Sequence, residues 1–396
     1  MRVMQITRDY LSNGGIGRYV QELSSAMAEA GDTVAVVCAS AASDVQPGVY
    51  VVPGCDEFEH PARAATRAAV VDLGSTFAPD LVLLHAMDDA GLELELRRRF
   101  RVARFVHNHV HCPSGVDYDG SSLRPCERRQ GAACVAGYVG RRCWSVRKPW
   151  TAAYFQRRAS AAIDNLRSAP LVFTASQYVR GRLARQGVDA DRVRVAPYFA
   201  PSCGATMAPA QRPADGTTML FVGRIVPEKG LAYLLRAMPD MRSPARLIVN
   251  GDGPDRLPME SLARKLGLGE RVEFIGWTGP EGLSASYAAA DVVVVPSLWP
   301  EPFGLVGIEA MAYGKPVAAF RSGAIPEWLD DGATGYAVAA GDVAELAGRL
   351  DELLGDAALR ARMGCAARSR VARDYSRERH LATIRDAVAG TRWPCG

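Results

Sequence analysis

Long apolar runs are missing from this 396-residue chain. The longest, such as Val292 to Pro296 and Ala169 to Ala175, stop far short of the roughly 18 residues that a membrane-spanning helix needs. An export signal is missing as well. The opening Met1-Arg2-Val3-Met4-Gln5-Ile6-Thr7 reads as a strand entering a glycine turn, so the expected location is the cytoplasm. Net charge is small, at +4, which gives no reason to expect a nucleic-acid partner, and no recognised nucleic-acid module is present. Nine cysteines are present, but disulfide frameworks belong to short secreted domains and this chain is long, so most thiols are expected to be reduced.

What is present fits two globular domains. The length exceeds what one hydrophobic core usually organises, and 48% hydrophobic with 23% charged residues lies close to the globular average. Short β-branched or Leu-rich runs alternate with longer amphipathic stretches, the pattern of parallel sheets covered by helices. In the first half the expected strands are Val3 to Thr7, Thr33 to Cys38, Leu81 to His85, Ala103 to His107 and Leu171 to Ala175. In the second they are Thr218 to Val222, Arg246 to Asn250, Arg271 to Ile275, Val292 to Pro296 and Pro316 to Ala319.

Residues 196–216 are rich in Pro and Ala without helical or strand period, and read as a linker. The expected fold class is therefore α/β: two doubly wound domains, 1–195 and 217–375, facing a central cleft, with a final helix in 376–396 that crosses back onto the first. Ligands in such folds bind at the carboxyl ends of the strands.

Three loops at those ends carry chemistry. Gly14-Gly15-Ile16-Gly17 follows the first strand and opens a helix, a turn that lets backbone approach a phosphate. A dinucleotide fold would add a carboxylate after the second strand, but that strand ends Val36-Val37-Cys38-Ala39. The second loop, Gly223-Arg224-Ile225-Val226-Pro227-Glu228-Lys229-Gly230, sets two cations and a helix start around one point, as a pyrophosphate requires. The third runs from Glu301-Pro302-Phe303-Gly304-Leu305 to Glu309. Its two carboxylates suit sugar and ribose hydroxyls, and its helix-opening amides are able to donate to an anion.

These residues, together with Asn250-Gly251-Asp252-Gly253-Pro254, Phe274-Ile275-Gly276 and Gly314-Lys315-Pro316-Val317, resemble the retaining glycosyltransferases of family 4, with their GT-B fold. The resemblance covers nearly the whole chain. It implies that Arg224 and Lys229 clamp the donor phosphates, Glu301 holds the transferred sugar, and Glu309 holds the ribose. Gly223 and backbone at Phe303, Gly304 and Leu305 complete the donor site. Gly14 and Gly15 would touch the donor from the first domain, and His107 would point toward the reacting centre, with His85 as the alternative.

The implied activity is transfer of a sugar from a UDP- or GDP-type donor to the hydroxyl of a small molecule, glycan or lipid-linked acceptor, with retention and with no cofactor. Negative charge grows on the departing diphosphate, and cations aimed there stabilise that transition state without a metal. The metal-binding type of triplet, Asp-x-Asp, occurs at Asp117-Tyr118-Asp119 and Asp189-Ala190-Asp191, away from the donor loops, and both are read as solvated. A nucleotide-sugar epimerase of the same architecture, a dehydrogenase and a non-catalytic donor-binding relative remain as alternatives.

Two departures from the family stand out. The usual hinge glycine is replaced in Pro197-Tyr198-Phe199-Ala200-Pro201. The stretch from His107 to Trp150 gathers His107, His109, His111, Cys112, Cys126, Cys134 and Cys143. Unlinked thiols are the leading expectation there, with a structural zinc on Cys112, Cys126, Cys134 and Cys143, or disulfides, as alternatives. Residues 97–167 hold 15 Lys or Arg against 4 Asp or Glu. Arg141, Arg142, Arg147, Lys148, Arg157 and Arg158 lie among Trp144, Trp150, Tyr154 and Phe155, a mixture suited to weak contact with an anionic membrane surface.

Overall fold

The alternation of short apolar runs with amphipathic stretches resolves into two parallel sheets, each covered by helices. The structure, a computed structural model, describes residues 1–10, 15–41, 47–56, 63–119, 124–140, 143, 149–200 and 217–394. The chain divides into two compact units: Met1–Pro197 with Arg377–Gly396, and Tyr198–Ser376. Of the segment read as a linker, residues 201–216 lie outside the described residues.

In the first unit the strands are β1 (Arg2–Tyr10), β2 (Thr33–Ala41), β3 (Val49–Val51), β4 (Leu81–Leu84), β5 (Val102–Val106), β6 (Tyr118–Asp119), β7 (Arg124–Pro125), β8 (Val172–Thr174) and β9 (Val193–Val195). Seven of them form one parallel sheet in the order β3-β2-β1-β4-β5-β8-β9, while β6 and β7 make a separate antiparallel pair. The helices are α1 (Gly15–Glu29), α2 (Arg63–Phe77), α3 (Ala90–Arg97), α4 (Ala132–Gly140), α5 (Pro149–Ser168) and α6 (Gln177–Arg185). Helix α1 buries Tyr19, Val20, Leu23, Ala26 and Met27, the spacing of one face of a 3.6-residue period. Both β4 and β5 are buried at every position, as a sheet covered on both faces requires.

The second unit repeats the plan. Its strands β10 (Thr217–Val222), β11 (Ala245–Asn250), β12 (Val272–Gly276), β13 (Val292–Val295), β14 (Val317–Phe320) and β15 (Gly335–Val338) are all parallel, in the order β12-β11-β10-β13-β14-β15. Helices α7 (Leu231–Ala237), α8 (Arg256–Lys265), α9 (Pro280–Ala289), α10 (Leu305–Ala312), α11 (Ile325–Trp328), α12 (Val343–Gly355) and α13 (Ala357–Asp374) cover it. Fully buried Leu234, Leu247, Val292, Phe320 and Leu350 lie in its core, each contributing about 1.5–3 kcal/mol by leaving water.

Both sheets reverse strand order once, between β1 and β4 and between β10 and β13. Such a switch point is where doubly wound sheets bind ligands.

The last helix, α14 (Arg377–Gly390), belongs to the first unit. His380 meets Tyr19 Oη at 2.8 Å, and Arg385 pairs with Asp32 at 2.8 Å. Strands β3, β9 and β15 are not among the strands expected from the sequence. Among the described residues, no helix is long and apolar enough to cross a membrane.

Candidate active site

At the switch point of the second unit, β10 runs into the Arg224–Lys229 loop and β13 into the stretch leading to Glu301. The backbone binds these two loops together. Glu228 O accepts from Leu298 N at 2.9 Å and from Trp299 N at 3.0 Å. Gly230, with φ 72°, approaches so closely that a Cβ there would lie 1.8 Å from Pro296 O. Only glycine permits both that backbone angle and that contact. The Asn250–Pro254 turn closes the third side, with Ile225 N donating to Asp252 O at 2.8 Å.

The side chains converge in consequence. Lys229 Nζ lies 2.6 Å from Glu301 Oε1 and 4.7 Å from the Trp299 ring centre. The Glu301 side chain is buried, and its ammonium partner remains 23% exposed, open to an incoming anion. Arg224 is exposed, and its guanidinium has no hydrogen bond or ion pair among the described residues. A buried carboxylate is thus held by one cation, and a second, unpaired among the described residues, is exposed on the same loop as the first.

Helix α10 supplies the rest. Its N-cap is Gly304, at φ 96°, with no side-chain cap. The first amides of a helix have no intrahelical acceptor, so an anion there finds donors and a favourable dipole. Phe303 is anchored from behind: Trp328 Nε1 donates to its carbonyl at 2.6 Å, and its ring packs against Tyr198 and Tyr375. One turn on, buried Glu309 accepts from Tyr287 Oη at 2.7 Å. The sequence reading did not find Tyr287, Trp299 or Trp328. Aromatic residues in apolar surroundings give no signal of which polar group they will meet.

The first unit has its own polar centre at the ends of β4 and β5. Gly15 opens α1, whereas Gly14 lies outside the described residues. His107 Nε2 meets His85 Nδ1 at 2.8 Å, and His85 Nε2 meets Gln5 Oε1 at 2.9 Å. Gln5 Nε2 donates to Ser24 Oγ at 2.8 Å, and Ser24 Oγ donates to Val20 O at 2.7 Å. This chain fixes every proton. The amide oxygen of Gln5 accepts, so His85 carries its proton on Nε2 and accepts at Nδ1, and His107 therefore carries its own on Nε2. Nδ1 is left as the acceptor nitrogen of His107.

Burial, reinforced by the neighbouring His85, Arg104 and His380, holds His107 well below the usual imidazole range. Burial brings His85 down to about 3 and His380 to about 4. All three rings are neutral near pH 7. His85 is fully buried, so of the two candidate histidines only His107 retains exposed surface.

One expectation changes. Asp117 is not solvated: it is buried, meeting His111 Nε2 at 2.9 Å, His109 Nδ1 at 3.4 Å and the Arg182 guanidinium at 2.5 Å. Burying a carboxylate demands such partners, and the loop folds to supply them. Asp189 and Asp191 are exposed, as expected of a loop. Cys112, Cys126, Cys134 and Cys143 are unlinked thiols, and the group of metal-capable side chains found among the described residues, His109, His111 and Asp117, includes none of them. Arg141, Arg142, Trp144, Arg147 and Lys148 lie outside the described residues.

Two sheets of doubly wound order, one with cations, carboxylates and an open helix start at its switch point, define a two-domain protein built to hold an anionic nucleotide ligand. Comparison with known proteins narrows the class. The Glycosyl transferases group 1 profile matches residues 205–370, and the Glycosyltransferase Family 4 profile matches residues 13–199. Glycogen synthase of Mycobacterium tuberculosis is 31% identical over 402 residues, spanning 95% of this chain and 91% of its own.

A GDP-mannose-dependent alpha-(1-6)-phosphatidylinositol monomannoside mannosyltransferase of Mycolicibacterium smegmatis is 32% identical over 294 residues, 68% of this chain and 74% of its own. The solved structure of HepE from Anabaena, in complex with UDP and glucose, shares the fold with a TM-score of 0.75 at 18% identity, covering 98% of this chain and 99% of that one. The chain belongs to glycosyltransferase family 4, with the GT-B fold. It is a glycosyltransferase that uses a nucleotide sugar, and the epimerase alternative is not favoured.

Proposed function

We propose that the protein is a hexosyltransferase-type enzyme that moves a sugar from a UDP- or GDP-linked donor to an acceptor hydroxyl, retaining anomeric configuration without a catalytic metal. The observation that carries this reading is the Lys229–Glu301 pair, with exposed Arg224 on the same loop as Lys229 and the uncapped start of α10 following Glu301 in the chain. A diphosphate entering there draws Lys229 from Glu301 and meets Arg224 and the first α10 amides. The released Glu301 carboxylate then accepts hydroxyl protons of the sugar, and Glu309, oriented by Tyr287, accepts those of the ribose.

As the bond from the anomeric carbon to the phosphate oxygen breaks, its electron pair stays on the diphosphate, which the two cations and the helix start stabilise. The acceptor oxygen bonds to the anomeric carbon on the same face, and its proton passes to the departing phosphate oxygen. Neutral His107, with Nε2 committed to His85, is the first unit's candidate for a polar role in the reaction. Support for metal independence comes from the two cations of the loop after β10, Arg224 and Lys229, the latter already facing the buried Glu301 carboxylate.

Acceptors of the small-molecule, glycan and lipid-linked classes all fit, and we place the protein in the cytoplasm with weak, salt-sensitive contact to anionic membrane. Thermal-shift screening of UDP, GDP and their sugars identifies the donor, because a ligand of the native state raises its stability. Magnetic resonance of the product in the presence of EDTA then reads the configuration. An inverted product, or turnover that requires added magnesium or manganese, overturns the proposal.

A further inference from the structure

Away from the donor residues, the segment after β5 folds around a second constellation. His109, His111 and Asp117 are all buried and bring one ligand atom each within 4.8 Å of one another. His111 Nε2 lies 2.9 Å and His109 Nδ1 3.4 Å from the oxygens of Asp117. Ligands about 2.0–2.1 Å from a tetrahedral ion stand about 3.3 Å apart, so these spacings need little adjustment to enclose one.

The surroundings point the same way. Ligating carboxylates are themselves usually hydrogen-bonded from outside. Here Arg182 reaches Asp117 Oδ1 at 2.5 Å and Tyr178 Oη donates to Oδ2 at 3.3 Å, both from α6. Two thiol-bearing residues border the group through backbone bonds, with Cys112 N donating to His109 O at 2.8 Å and Cys126 N to Asp117 O at 2.9 Å.

Between β5 and α4 the described chain has only the two-residue strands β6 and β7 as regular structure. A segment with so few ladder bonds gains most from a cross-link.

We propose that His109, His111 and Asp117 form a structural site for a divalent cation of the zinc class. The ion ties the segment that follows His107 to α6 through Asp117 and its partners Arg182 and Tyr178. A nitrogen and oxygen donor set of this kind suits zinc better than calcium or magnesium, which take oxygen ligands. The role is to order this segment, separate from the donor loops, and it stands whether or not the donor mechanism above is right.

The test uses the full chain, stripped with a chelator, incubated with zinc chloride and desalted before elemental analysis. About one zinc per chain is expected, falling below about 0.2 in His111→Gln and Asp117→Asn. X-ray absorption at the zinc edge of the unaltered protein keeps the question decidable if those variants misfold. It is expected to show a nitrogen and oxygen shell with the outer scattering of two imidazoles. No retained zinc in the folded unaltered protein, full zinc in both folded variants, or a shell of four sulfurs from Cys112, Cys126, Cys134 and Cys143 overturns the assignment.

Discussion

Replacing Lys229 with alanine separates the two jobs its ammonium does. In the ligand-free protein it neutralises Glu301, whose side chain is only 7% exposed. Stranding a fully buried charge costs about 3–5 kcal/mol. Lys229 is itself 23% exposed, so water offsets part of that cost and about 1–3 kcal/mol remains. For a unit the size of Tyr198–Ser376, each kcal/mol lowers the melting temperature by about 2–4 °C. In the proposed mechanism the same ammonium faces the departing diphosphate. Losing one such donor lowers turnover by about 100- to 1,000-fold.

The double variant Lys229→Ala/Glu301→Gln tells the two effects apart. Removing the stranded charge restores most of the lost stability, while turnover stays low. Denaturant melts and a nucleotide diphosphate release assay read both quantities on the same samples. Turnover of Lys229→Ala within threefold of the parent, or recovery of turnover in the double variant, refutes the argument.

Tyr287→Phe removes the 2.7 Å bond to Glu309. At about 0.5–1.5 kcal/mol for a hydrogen bond, donor affinity by calorimetry is expected to fall about 2- to 10-fold, with kcat nearly unchanged. Gly230→Ala forces a left-handed backbone angle and an overlap with Pro296 O. Its urea midpoint should drop by the equivalent of at least about 2 kcal/mol, whereas Gly269→Ala, with nothing within 4 Å, should leave the midpoint near that of the parent.

Stability should also fall on acidification. The imidazoles of His85 and His380, held at about 3 and about 4, stay neutral in the native state while their unfolded counterparts protonate below about 6.5. The unfolded state then binds more protons, so their contribution is complete above about pH 6.5 and is lost as pH falls toward 4, by up to about 1.4 kcal/mol per pH unit for each ring. Urea melts from pH 7 to pH 5 should show this slope, reduced in His380→Gln. A flat profile contradicts the burial argument.

Local pattern was enough to reveal the two parallel sheets and the family. Short continuous apolar runs, the glycines around Arg224 and Lys229, and Glu301 with Glu309 lie close in sequence and need no distant partner to be recognised. The tertiary structure alone decided which polar groups meet. It set Lys229 against Glu301, placed Tyr287 behind Glu309, linked His107 to His85, Gln5 and Ser24, and gathered His109, His111 and Asp117. The reason is physical: backbone period fixes which face of an element is buried, whereas a buried charge or imidazole must find its partner across the fold, at separations that no local pattern encodes.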